Sequence, residues 1–509
     1  MLTFLIRRFA SAGVVLLAST FVFFMLVAYA TDPLQELRES NQINKAELIE
    51  ARTRQLSLDV PPVVRYLYWL RGVLGFLWGD GTLGASWRTS RETTDLLAGA
   101  IGVTLRLVLV ATVLAILLGV TVGIVSALRQ YSGFDYSITF ISFLLYSLPT
   151  FWVAVLLKQW GAIGFNDFLR DPRIGLWAII GIALVAGFVW SAIVGGALRR
   201  RLITAAVAGV ATALTLWFMS ATGWFLNPSL GPVMIALTGV GIAFGITALS
   251  TGLRNRRALY SALTVVAIGV ALWYPLQFLF PMATIFMILG LLAASIAIAA
   301  VVGWAFGGPD RAQSIRTAGL TAVAVAMLIF VDEVMQVWQI YSNYSEGRPV
   351  ATLGAATPGL NGDFWVETLD QYTHLILPTT SLLLISFAGY TRYSRGSLLE
   401  VLNQDYIRTA RAKGLTERTV VMRHAFRNAL IPLATIVPLD LAAILSGAVI
   451  TETIFGWTGM GNLFISSLRG DDPFPIMGFF LVTGTLAVLA NLAADLVYAG
   501  LDPRIRVNA

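Results

Sequence analysis

Few residues in this chain are equipped for chemistry, and most of them sit in one polar stretch. From Arg392 to Pro432 the sequence reads RYSRGSLLEVLNQDYIRTARAKGLTERTVVMRHAFRNALIP, a basic segment set between long apolar runs. Leu398, Leu399, Val401, Leu402 and Ile407 recur at helical spacing, which gives the segment one apolar face. Asp405 is placed to cap a helix starting at Tyr406. Gly414 is placed to end that helix, because glycine tolerates the left-handed backbone of a helix C-cap. Thr416 is placed to cap a second helix through Val420, Val421 and Ala425, with Pro432 near the start of the next apolar run. The expected product is helix–glycine–helix, with Arg408, Arg411 and Lys413 before the bend. Two uses fit: anchoring to anionic lipid, or a contact with something outside the membrane.

The other candidates are isolated. Asp332 and Glu333 lie toward the end of an apolar run, where a carboxylate is either an ion or proton site or a residue at a wet interface. Asp440, inside another run, is a candidate ion ligand or pathway residue. Pro149 falls in mid-run and kinks it, shaping a pathway or only the packing. The chain has no cysteine and 2 histidines, which excludes disulfides and thiolate chemistry and leaves little for a metal site. His374 reads as a surface residue and His424 as a packing or loop residue. GWTGMG (456–461) lacks the strand–loop–helix setting and the lysine of a phosphate loop, and no nucleotide-binding motif occurs elsewhere. No cofactor is expected on this chain.

The elements that must hold these residues are membrane helices. The 509 residues are 57% hydrophobic and 12% charged, with a mean hydropathy of +0.77. A soluble domain carries about 25% charged residues, so the fold class is an all-α polytopic membrane protein. The net charge of +7 is explained by basic loops on one side of a membrane, without nucleic acid.

Residues 1–30 form the first span, with Arg7 and Arg8 inside and an apolar run, Phe9 to Ala30, too long for a signal peptide. Residues 31–100 form an extracytoplasmic loop domain, with a short surface helix near Asn44 to Leu58 and an aromatic segment, 65–87, suited to the interface or to a folded loop. Residues 101–165 hold spans two and three, the third at about Asp135–Trp160. Residues 166–345 divide into about six spans, with Pro281 the weakest break. Trp338, Tyr341 and Tyr344 read as an interfacial belt. A loop at 346–373 precedes the last three spans in 374–509, starting at about His374–Tyr393, with the polar loop at 394–430. With the N-terminus inside, about twelve spans place Arg129, Arg199–Arg201, the Arg254 cluster, Arg311/Arg316, the 392–432 stretch and Arg504/Arg506 all inside.

DYIRTARAKGL (405–415) followed by HAFRNALIP (424–432) resembles the coupling-loop motif of bacterial ABC-importer permeases, in the form found in B-type subunits of the dipeptide/oligopeptide/nickel family. MLTFLIRRF at the N-terminus, LPTFWVAVLL (148–157), ETIFGWTGMGNLFISSLRGDDPFPIMG (452–478) and the ending LVYAGLDPRIR resemble it in the same order. The resemblance implies a permease core of six spans and a short helix docking on an ATP-binding subunit. Carried over, Tyr406, Arg408, Thr409, Ala410, Arg411, Ala412, Lys413 and Gly414 form that element, with Ala410 and Ala412 allowing close approach. The general importer motif begins Glu-Ala-Ala where this chain has Arg408-Thr409-Ala410. Typical members have only a short loop where this chain inserts its extra spans, at about 174–340.

The resemblance further implies a bacterial plasma-membrane protein with both termini cytoplasmic. Its implied partners are a homologous second permease, two ATPase subunits carrying ATP and Mg, and an extracytoplasmic substrate-binding lipoprotein. The implied substrate is a di- or oligopeptide, with nickel, haem and glutathione carried by relatives. An ion-gradient-driven secondary transporter using Asp332, Glu333 or Asp440 is the rival reading, and a membrane scaffold a third.

Overall fold

The computed structural model describes residues 2–501, with the side chains of 8–308, 310–417, 419–440 and 448–496. The Arg504/Arg506 cluster, the final residues of LVYAGLDPRIR and the side chain of Arg7 lie outside these described residues. Among the described residues the chain is helical, with one isolated bridge between Ala85 and Glu92. A helix satisfies its own backbone polar groups, which is what an apolar chain in lipid requires.

Helix α1 (Leu2–Ala30) leads into a small domain of α2 (Gln35–Glu39), α3 (Lys45–Gln55) and α4 (Pro62–Gly75). Helix α5 (Thr93–Leu128) is 36 residues long. Helix α6 (Gly133–Ser147) breaks at Pro149, and α7 (Thr150–Leu156) continues through a π-helical turn, Leu157–Gly164, into α8 (Phe165–Phe168). The two legs meet at 102°, so the expected kinked third span is a sharply broken one.

Helices α9 (Leu176–Val194) and α10 (Leu198–Ala221) form a hairpin. Helices α11 (Gly231–Ser250), α12 (Arg256–Leu276), α13 (Ile285–Gly307) and α14 (Arg311–Gln336) form a separate four-helix bundle. Pro281 lies in a 3-10 turn, Phe280–Met282, between α12 and α13, and therefore separates two helices. After α15 (Trp338–Tyr344) comes α16 (Phe364–Leu402), one helix of 39 residues. The expected outer loop is thus shorter than 346–373, and the expected span His374–Tyr393 is only the middle of α16. The described chain ends with α17 (Asp405–Ala412), α18 (Glu417–Thr419), a π-helical turn at Val420–Ala425, α19 (Phe426–Phe455), α20 (Met460–Arg469) and α21 (Pro473–Leu501). Pro432 lies in the second turn of α19, near its start as expected.

Among the described residues ten helices are long and apolar enough to cross a membrane, or eleven if the bent pair is one span. Helix α19 lies along the same depth. Its Ala429 packs with Ala127 near one end of α5, and its Glu452 bonds Thr104, which is 23 residues, or about 35 Å, up the same helix.

The core is α1, α5, α16, α19 and α21 with the bent pair. Antiparallel α1 and α21 are fastened by Arg8–Asp495 at 2.9 Å and by Phe23 stacked on Phe480 with centroids 3.9 Å apart. Helices α5 and α16 approach so closely that a Cβ on Gly119 would meet Tyr390 Cβ at 2.7 Å. The additional bundle packs on the far end of α16, where Trp365 Nε1 donates to Phe280 O at 2.8 Å. The two flanks of the extra segment are stapled together: Asn166 Nδ2 donates to Val350 O at 2.8 Å, and Val350 N donates to Asn166 Oδ1 at 3.1 Å.

Candidate functional site

Helix α17 packs against the end of α5 that leads into Arg129, whose Nη1 donates to Ile193 O of α9. Gln404, in extended backbone, is its N-cap, and Asp405 is its first residue and not its cap. Gly414 has φ +75°, as its placement at the helix end requires. Thr416 accepts from Thr419 N at 3.4 Å and so begins α18 as expected.

The helix is amphipathic. Ile407 and Ala410 are buried against Ala127 of α5, Leu398 of α16 and Ala425 and Ala429 at the base of α19. Ala410, expected to face a partner, instead seats the helix on its own molecule. The outward face carries Tyr406, Arg408, Thr409, Arg411, Ala412 and Lys413, all exposed.

Two of these charges are engaged within the chain. Arg411 donates to Glu417 at 2.7 and 3.2 Å, bracing α17 against α18 across Gly414. That pairing holds the Glu417 carboxyl below its ordinary range and raises Arg411. Arg408 is 3.5 Å from Asp405. Beside α17 lies a cleft of about 280 Å³ lined by Tyr406, Arg423, His424, Arg427, Asn428 and Ile431. Asn428 Nδ2 donates to Tyr406 Oη at 2.9 Å on its wall.

Behind α17 stands an ion pair that spacing does not reveal. Asp135, buried at the start of α6, accepts from Arg395 Nε at 2.8 Å and Nη2 at 3.0 Å, and from Ser126 Oγ at 2.5 Å. Arg392 lies over the rings of Phe143 and Tyr146, 4.9 and 4.6 Å from their centroids. Ser397 Oγ donates to Ala429 O at 2.8 Å. The C-terminal part of α16 therefore ties α6 and α19 to the seat of α17. Arg392 and Arg395 belong to the polar stretch, but their partners lie over two hundred residues away.

At the opposite end, Glu452 is fully buried. Its Oε1 accepts from Thr104 Oγ1 at 2.6 Å, and its Oε2 from Gly461 N at 2.8 Å and Asn462 N at 3.1 Å. The carboxylate thus caps α20, and the glycine at 459 leaves room for it. The signal was an acid ahead of the GWTGMGN turn. Asp472 accepts from Ser86 Oγ at 2.5 Å and joins the 31–100 domain to the start of α21. Burial lifts the Asp472 carboxyl above its ordinary range, against the hydrogen bonds from Ser86 and the 87–88 backbone.

The membrane acids have local duties. Asp332 is fully buried and accepts from Leu230 N at 2.6 Å, Gly231 N at 3.0 Å, Trp273 Nε1 at 2.8 Å and Gln336 Nε2 at 3.1 Å. Glu333 accepts from Gln277 Nε2 at 3.2 Å. Asp332 therefore joins α11 and α12 to α14, and Glu333 joins α14 to the end of α12. Asp440, half-buried in α19, lies against the Tyr390 hydroxyl of α16. Tyr341 is buried, not interfacial, and donates to Asp370 at 2.9 Å. His374 is likewise buried and not at the surface, with Nε2 3.9 Å from Asp370 Oδ1. No group of three or more metal-ligating side chains occurs among the described residues.

These features define a multi-pass membrane protein with a small amphipathic helix seated on one end of its core. A family model described as "Binding-protein-dependent transport system inner membrane component" matches residues 316–507, and one for the N-terminal part of such membrane components matches residues 1–108. The Oligopeptide transport system permease protein OppB of Mycobacterium tuberculosis (strain ATCC 25618 / H37Rv) is 44% identical over 155 residues, 30% of this chain and 48% of the relative. The Oligopeptide transport system permease protein AppB of Bacillus subtilis (strain 168) is 47% identical over 146 residues, 29% of this chain and 46% of the relative. The Dipeptide transport system permease protein DppB of Escherichia coli (strain K12) is 45% identical over 148 residues, 29% of this chain and 42% of the relative. The chain spans about half the length of the curated relatives it matches. Over its two matched segments the chain is similar to membrane components of binding-protein-dependent transport systems and to permeases of dipeptide and oligopeptide transport systems.

Proposed function

We propose that this chain is the translocation subunit of an ATP-driven importer for di- or oligopeptides, and that α17 is its contact with an ATPase subunit. The observation that supports this most is the mounting of α17. One face is anchored to the ends of α5, α16 and α19, and the other presents Arg408, Thr409, Arg411 and Lys413 outward. A push on such a helix moves the core helices as a body. An equilibrium between two packings, biased by a partner, needs this kind of rigid lever. A helix lying only on lipid would turn its apolar face outward, whereas here Ile407 and Ala410 face the protein.

In this reading the basic end is cytoplasmic, as the distribution of arginine favours, in a bacterial plasma membrane. A second permease completes the pathway, two ATPase subunits hold ATP and Mg, and a binding lipoprotein delivers the peptide to the 31–100 and 455–475 segments. The Glu452 and Asp472 contacts support those segments as one rigid docking face. The dipeptide and oligopeptide names of the relatives favour peptide over nickel, haem or glutathione.

The test is reconstitution of this chain with its permease, ATPase and binding-protein partners in vesicles. Uptake of labelled peptide should require ATP and every partner. Uptake by this chain alone, driven by an ion gradient, would instead establish a secondary transporter.

A further inference from the structure

A second site lies at the other end of the molecule. Between the last turns of α1, the loop after it, α4 and the start of α21 is a cavity of about 380 Å³. Its walls are largely apolar, with Phe24, Val27, Leu34, Leu56 and Phe474 among them. Two residues of its wall carry donors without partners. Trp69 is only 5% exposed, and its Nε1 makes no hydrogen bond. Arg65 lines the same cavity, and its Nε is also buried and unpartnered. Buried donors carry their full desolvation cost unless something accepts from them. The nearby acid does not serve. Asp32 accepts from Leu34 N at 3.1 Å and is paired with Arg38 at 2.7 Å. The cavity thus has one cation, Arg65, beyond the Asp32–Arg38 pair.

The level of the cavity indicates what occupies it. The apolar run of α1 ends at Ala30, so the cavity opens where hydrocarbon gives way to headgroups. Leu26 and Tyr29, on the same turns as Phe24 and Val27, are exposed on the outside of the helix. The cavity wall is therefore continuous with a lipid-facing surface.

We propose that this cavity seats the phosphate of a bilayer phospholipid, which accepts from Trp69 Nε1 and Arg65 Nε while an acyl chain lies along Phe24 and Val27. The lipid joins α1, α4 and α21, and so fixes the 31–100 domain to the membrane core.

The full chain is placed in nanodiscs containing phosphatidylglycerol, re-extracted into neutral detergent, and its retained phospholipid measured by mass spectrometry. About one equivalent per chain should survive extraction. Trp69→Phe, which keeps an aromatic ring but removes the donor, and Arg65→Gln should each lower retention about tenfold, with Arg65→Lys restoring part of it. Arg173→Gln, on an exposed loop, should change nothing. Thermal unfolding of the lipid-free variants should match wild type, which separates lost binding from lost fold. Glycerol phosphate or inorganic phosphate should not displace the lipid, and displacement by either would show a site for free phosphate. Displacement by a short peptide would make the cavity a substrate site. Absence of retained lipid in the wild type, or equal retention in both donor variants, would also overturn the proposal.

Discussion

Asp135 shows how much one carboxylate can hold. It is nearly inaccessible, yet it accepts two bonds from Arg395 and one from Ser126. Removing one member of a buried pair leaves the other charge uncompensated, at about 3–5 kcal/mol. Asp135→Asn should lower the thermal unfolding midpoint in detergent and weaken peptide-stimulated ATPase activity in the assembled importer, while Arg170→Gln, whose pair with Asp167 is exposed, should do neither. Asp472 gives a pH test. Its folded pKa is raised, so the folded state binds more protons than the unfolded one just above the ordinary carboxylate range of about 4. Its contribution is therefore most favourable below that range and is lost as pH rises through the raised value. Hydrogen exchange of the 85–92 turn, corrected for intrinsic rate, should show less protection at pH 7 than at pH 4.5, and Asp472→Asn should flatten the difference.

At the scale of elements, α17 and α18 act through the geometry of the turn between them. Gly414 sits at φ +75°, a conformation that costs other residues about 1–2 kcal/mol. Thr416→Ala removes the cap of α18 at about 1 kcal/mol. Neither change touches a membrane helix, so insertion and expression should survive both. Combining Gly414→Pro with Arg411→Glu also reverses the brace to Glu417. The expected result is ATP hydrolysis that no longer drives peptide uptake, measured in the same vesicles. Unchanged uptake would remove α17 from the coupling role.

At the scale of the whole molecule, the extra helices are an addition fastened at one end. Asn166 and Val350 bring the two flanks together, and the α11–α14 bundle meets the core through Trp365 and its neighbours. Residues 109–315 lie between the two family matches. Replacing 171–345 with a short flexible linker should therefore leave a folded core. Retention of the Arg395–Asp135 and Glu452–Thr104 contacts in a structure of the deletion variant is the check. Some loss of stability is expected, because the deletion exposes Trp365, Val366 and Leu369.

Composition and the spacing of charge determined that this chain crosses a membrane many times and that Gly414 turns one helix into another. These are local properties, fixed by apolar run length and by a backbone angle that few residues tolerate. The family resemblance rested on local motifs too, and residues 405–432 carried it. What the sequence left open was which face of each element meets which neighbour. Only tertiary packing turned Ala410 inward, buried His374 and Tyr341, and used Asp332 to hold backbone amides of the residues leading into α11. The kink at Pro149 was legible in the sequence, but its size, 102°, was not. The pairs Asp135–Arg395 and Thr104–Glu452 are separated by 260 and 348 positions. No periodicity in either segment reports such a meeting, because it depends on how whole helices stack.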